Sequence, residues 1–360
     1  MWAFFLVIST LALFAVPLIP ALAELIWPTD NEPLRVVQEY DRNIRHFAQG
    51  FREYIHKNFS QLLQEPGKEG TLADGTRFRT AGKDGVIFSG DPETIPFLVL
   101  SNGPLQLPDG YFFQSEIYSR QSIVSGQHNS FRAMLAEEDI TLQDYSTVLR
   151  WVHAGKQLRL GTGCTLFGRA SADSGIVLGD ECVFERISAP IIEFGSYSKQ
   201  EVDVARAQGA RTPMVTFPRV REQFGRRWLL QGALDFPAQH FFDGDIVAGK
   251  AMNIGAYSHI KGSIKSNADG HIGAHVVLEG SAVSANSLYI GPGCMIAGPV
   301  IAEETISIAA GTIVGSPGRL TSITAPRIII EPGAMVYGTI WAVEEGLVRV
   351  AGQSLKKARA

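Results

Sequence analysis

From Ile254 onward a large aliphatic residue returns every eighteen positions, at Ile254, Ile272, Ile290 and Ile308. Six residues beyond each stands another, Ile260, Leu278, Ile296 and Val314, and twelve beyond stand the small Ser266, Ser284 and Ala302. Mostly small residues, Ser258, Val276, Cys294 and Thr312, precede each six-step by two. A fixed period near twenty is the mark of a solenoid, and hexads grouped in threes describe a parallel β-helix with three short strands per coil. Like residues then stack at the strand spacing of about 4.8 Å. The same ruler extends backwards through Val124, Leu142, Leu160 and Leu178, through Val148, Leu166 and Phe184, and through Ala136, Ala154 and Ala172. Stepping back from Ile254 brings Phe236, Phe242 and Ala248 into register, and one step more brings Pro218, Phe224 and Leu230. The expectation is an all-β chain built on one continuous parallel β-helix over 124–343, of about eleven coils and roughly 50 Å long. An insertion at about 196–217 leaves it as a loop, and a four-residue bulge sits around Ser316–Arg319.

Residues 1–27 are almost wholly apolar, with the first charge at Glu24. That length spans a bilayer. Ala21-Leu22-Ala23 fits a signal-peptide cleavage site, but no Lys or Arg precedes the apolar run. Arg35, Arg42, Arg45, Arg52 and Lys57 follow it instead, which by the positive-inside rule sets the bulk of the chain in the cytoplasm. An uncleaved transmembrane helix is therefore preferred to a cleaved signal, with a periplasmic location as the alternative. Within 28–66, Tyr40, Ile44, Phe47, Phe51, Ile55, Phe59 and Leu62 step by threes and fours, predicting an amphipathic helix over 34–63 that packs on the end of the solenoid or runs along the membrane. Residues 67–123 predict an irregular β lead-in covering the first coil, and 344–360 a basic tail.

A net charge of −4 argues against nucleic acid as a partner. The three cysteines, Cys164, Cys182 and Cys294, fall in the small column and show no zinc spacing. No nucleophile elbow, phosphate loop or metal-ligand motif is present, so no cofactor or metal is expected. A β-helix does admit a hexapeptide-type acyltransferase acting on envelope sugars. It would need a histidine base, for which His259, His271 and His275 at coil corners are the candidates. A pattern regular in eighteens but not in sixes suits a structural rod better. Eight residues into the early coils stand Arg132, Arg150 and Arg186, with Arg169 one place off and Arg226 in the coil before Phe236. Like charges stacked across strands repel. Either Glu137, Asp173 and Glu185 neutralise them, or they form an anion-binding stripe for a phosphate, an acidic glycan or an acidic partner.

The final coils, IGPGCMIAGPVIA and IIIEPGAMVYGTIWA, resemble those of bactofilins, the polymer-forming bacterial cytoskeletal proteins. The resemblance covers 245–343, and 124–195 more loosely. It implies a β-helix rod that self-assembles by end-to-end coil stacking and serves as a scaffold at the inner membrane, for envelope or polysaccharide assembly. Ile328, Ile330, Val336, Ile340 and Trp341 end the stack and form the expected self-association face. An exported, glycan-binding β-helix is the further alternative.

Overall fold

The computed structural model describes residues 2, 5, 6, 44–82, 94–195, 220–224 and 227–350. The predicted anchor apart from residues 2, 5 and 6, the first part of the predicted amphipathic helix and the insertion fall outside them. Among the described residues no helix is long and apolar enough to cross a membrane. Ile44–Ala360 is a compact unit of its own, a β-solenoid of about 13 turns rather than eleven.

From Phe236 onwards the columns read from the sequence are in place. Phe236, Ile254, Ile272, Ile290, Ile308 and Ile330 stack in parallel register. Phe242, Ile260, Leu278, Ile296, Val314 and Val336 form the next column. In the first half Ala136, Ala154 and Ala172 stack as expected, but Val124 does not join Leu142. It pairs with Thr141 and is partly exposed, while Ile123 takes the inward place on Ile140. That coil has seventeen residues, and a one-residue shift turns a strand's side chains to its other face. The lead-in is also more regular than expected. After a hairpin of Glu69–Thr71 and Arg77–Thr80, parallel coils already run through Leu98–Ser101 and Phe112–Ser119.

The two halves do not form one continuous winding. Val183–Phe194, the last coil of the first half, pairs antiparallel with Met335–Val348, the last coil of the second. Ile187 lies opposite Ile340, and Ile192 opposite Val336. Bonds between Val348 and Cys182 and between Gly333 and Phe194 carry the pairing around the corners. Two solenoids of one hand advancing towards each other run in opposite senses where they meet, so the join must be antiparallel. The second half accordingly begins at its far end, where Val220–Phe224 and Arg227–Leu230 form an antiparallel hairpin rather than the predicted stack of Phe224 on Phe242. One hydrophobic core runs unbroken through the join, from Ile95 to Val348.

The coil corners repeat a left-handed residue. His128, Tyr145, Tyr257 and His275 have φ of 54–58°, a conformation that costs a side-chain-bearing residue on the order of 1 kcal/mol or more. Here the rings stack in pairs, His128 on Tyr145 at 5.2 Å and Tyr257 on His275 at 4.9 Å. Each stack ends under a glycine, because a Cβ on Gly163 or Gly293 would lie 2.6 or 2.5 Å from the ring before it. The small inward column also has a chemical task. Cys164, Cys182, Cys294 and Thr312 donate to the corner carbonyls of Gln143, Gly161, Gly273 and Gly291 at 3.2, 3.1, 3.0 and 2.8 Å. The thiols are buried and free, and burial raises that of Cys294 to about 11.

The antiparallel join generates a direct test. Ser188 and Thr339 face each other with their hydroxyls 2.9 Å apart, and directly opposed antiparallel residues have Cα atoms about 4.5–5.5 Å apart, within the disulfide range. A Ser188→Cys/Thr339→Cys chain is expected to form an intrachain disulfide on mild oxidation, visible as faster migration on a non-reducing gel. A continuous winding would leave those thiols unlinked.

Candidate functional site: a helix seam and an arginine–aromatic hollow

The helix α1, His46–Phe59, lies along the flank of the first half rather than on its end. Its fourteen residues span about 21 Å, which matches four to five coil spacings of about 4.8 Å. The strands beneath are apolar on both faces: Val99, Ile117, Met134 and Val152 point into the solenoid core. Leu98, Leu100, Tyr118, Ala133, Leu135 and Trp151 point outwards under Ala48, Ile55 and Phe59 of α1. Ring contacts of Phe51 with Trp151 at 5.4 Å and Phe59 with Phe78 at 5.2 Å mark its course.

Charges fasten the seam. Arg52 Nε donates to both oxygens of Glu137, at 2.9 and 3.0 Å, and Tyr118 donates to the same carboxylate at 3.3 Å. Burial first and that carboxylate second push the Tyr118 hydroxyl up to about 12. Arg45 pairs with Asp173 at 2.8 Å. His153, almost fully buried, bonds through Nδ1 to Ser171 at 2.9 Å, with Nε2 3.9 Å from Asp173. Loss of solvation dominates its titration and lowers it to about 4, against the pull of Asp173 and Glu137 and with the help of Arg52 and Arg45. Glu137 and Asp173 thus serve α1, not the arginine stripe.

The stripe itself is divided. Arg132 pairs with Glu116 at 3.0 Å. Arg226 lies outside the described residues. Arg150 and Arg186 are not in one column, because a bulge moves the register by a residue: Trp151 stands beside Arg169, and Arg169 beside Arg186. Gly168 allows the bulge, since a Cβ there would lie 2.2 Å from the Arg150 carbonyl oxygen. Its N–H donates to Glu185 at 2.9 Å. Arg169 stacks over Phe47 at 4.8 Å, and Arg186 over Trp341 at 4.8 Å. Between the start of α1 and the join, Phe47, Leu149, Arg150, Phe167, Arg169 and Glu185 surround an open hollow of about 400 Å³. The Arg169 guanidinium, over the Phe47 ring, can turn N–H edges towards an oxyanion. Phe47 and Phe167 carry no charge, and the early arginine spacing alone did not point to them; the exposed apolar residue beside each arginine, Leu149 before Arg150 and Phe167 before Gly168 and Arg169, was the available signal.

The residues expected to form an end face are internal to the chain. Ile328, Ile330, Val336 and Ile340 are fully buried, and the edge of Val336 and Ile340 is covered by Ile192 and Ile187. Only Trp341 reaches the surface, beside Arg186.

The three candidate histidines occupy different parts of the second half. His259 Nε2 bonds Glu279 at 2.7 Å. His275 is one of the left-handed corner residues. His271 lies on a strand in an outward ladder, with Nδ1 3.0 Å from Asn253 and its ring stacked on Tyr289 at 4.9 Å. That ladder borders a groove of about 370 Å³ together with Asp235, Asp269 and Ser287. Burial lowers the His271 titration. Among the described residues no group of three or more His, Cys, Asp and Glu side chains is arranged to hold a metal. No family model, curated protein or solved structure matches this chain.

His153 makes the seam acid-sensitive. Its folded-state value lies below its ordinary 6.5, so the unfolded chain takes up the proton first. The stability it contributes is complete above pH 6.5 and is lost as pH falls towards 4, by on the order of 3 kcal/mol. Urea unfolding across that window should be flatter for His153→Gln than for the wild type; equal slopes would show that the imidazole titrates normally in the fold.

Proposed function

We propose that this protein is a membrane-tethered, bactofilin-like scaffold at the bacterial inner membrane, which holds envelope or polysaccharide-assembly components along a β-solenoid rod. The main support is the place where the N-terminal segment joins the rod. Ile44 is buried, and Arg45 is pinned to Asp173 on the flank, two residues before the Phe47–Arg169 stack. Ile44, the first residue of this compact unit, therefore lies beside a surface suited to acidic groups. Self-association, where it occurs, uses surfaces other than the edge of Val336 and Ile340.

A reporter fused after Ala360 should be active only in the cytoplasm, and the chain should stay with membranes in high salt unless residues 1–27 are removed. A His259→Ala/His271→Ala/His275→Ala chain that folds should still complement a deletion. Periplasmic reporter activity would favour the exported glycan binder, and loss of complementation with the fold intact would favour the acyltransferase.

A further inference from the structure

We infer that the hollow between α1 and the join is a docking surface for the anionic headgroups of the bilayer that holds the N-terminal segment. The inference rests on the tether proposed above and adds what the rod does once tethered. Phe47, Leu149 and Phe167 are 50%, 41% and 45% exposed around the hollow. Exposed apolar side chains grouped this closely mark an interaction surface. Arg150 is exposed and makes no ion pair among the described residues, and Arg169 lies over the ring of Phe47. The one carboxylate on the rim, Glu185, already accepts the Gly168 N–H. Rings flanked by guanidinium groups suit the boundary between lipid phosphates and acyl chains, where apolar and cationic groups are satisfied together. An acidic polysaccharide would satisfy the arginines but leave the three apolar side chains in water.

Chain length supplies the second argument. Residues 28–43 separate the apolar segment from Ile44. Sixteen residues extend to about 55 Å at most. The hollow begins four residues beyond that link, at Phe47. A link of at most that length keeps this surface within reach of the bilayer. Trp341, 43% exposed and stacked with Arg186, extends the surface across the join.

The test uses residues 44–360. This compact unit contains every residue of both hydrophobic clusters, and its folding is verified by circular dichroism. It should co-sediment with vesicles containing phosphatidylglycerol, weaken as salt rises, and ignore vesicles of phosphatidylcholine alone. Arg150→Gln/Arg169→Gln should lower binding by roughly tenfold or more. Phe167→Ser should lower it as well, while Arg159→Gln, on another side of the coil, should leave it unchanged. Absence of binding to phosphatidylglycerol vesicles, or equal binding by all variants, would overturn the inference. So would binding to soluble polygalacturonate with the vesicles ignored, which would assign the hollow to a glycan. Because this unit lacks residues 1–43, its failure leaves the tether standing, and the tether is tested separately by the reporter.

Discussion

A parallel coil satisfies its backbone only through the coils above and below it, so a β-solenoid carries an unfinished hydrogen-bonding edge at each end. Most of this architecture answers that constraint. The last coil of each half completes the other, with hydrogen bonds around the corners and Ile187 against Ile340 within. The two starting ends are treated differently: each begins in an antiparallel hairpin, Glu69–Thr71 with Arg77–Thr80 and Val220–Phe224 with Arg227–Leu230. Joining the halves at their finishing coils leaves only starting coils at the extremities.

Packing outside the solenoid follows from a second constraint. Strands in the first half bury residues on both faces, as strands covered on two sides do, and the outer set needs a cover. α1 supplies it, but the seam is polar at its margins. Tyr118, Glu137 and Arg52 on one side, and His153, Ser171, Asp173 and Arg45 on the other, form networks in which partnered groups also exclude water. A helix held by apolar contact alone could slide along the rod; paired charges at defined coils fix its position. The same device ends where the helix ends, and past His46 the outward side chains turn to Arg169, Arg186 and Trp341.

Much of the solenoid was legible because its repeat is a physical one: every eighteenth side chain meets the same neighbours, so Ile254, Ile272, Ile290 and Ile308 report their own stacking. The direction of the join was not. Hydrophobic columns are identical whether a coil is approached from one side or the other, and Ile340 reads as inward in either topology. Val124 misled because Ile123 beside it is equally apolar, and only pairing distinguishes the two. Part of the candidate surface was visible in the spacing of Arg150 and Arg186, but the bulge at Gly168 moved Arg169 into their midst. The seam could have been recognised from the runs Leu98–Ser101 and Trp151–Ala154, which lack the alternation of a half-exposed strand. Which helix covers them is a tertiary matter that no local pattern encodes.

The orientation of α1 has a mechanical consequence. It starts near Asp173, close to the middle of the rod, and proceeds towards Phe78 at the starting end of the first half. Tension entering at Ile44 therefore acts on one helical turn at a time. It loads Arg45 with Asp173, then Phe47 with Arg169, then Phe51 with Trp151 and Arg52 with Glu137. Contacts loaded in succession yield at far lower force than contacts loaded together, and an element that opens locally leaves the rest of the fold intact. The helix can thus peel from the solenoid when the chain is pulled at Ile44, lengthening under strain while the bonded coils keep their shape.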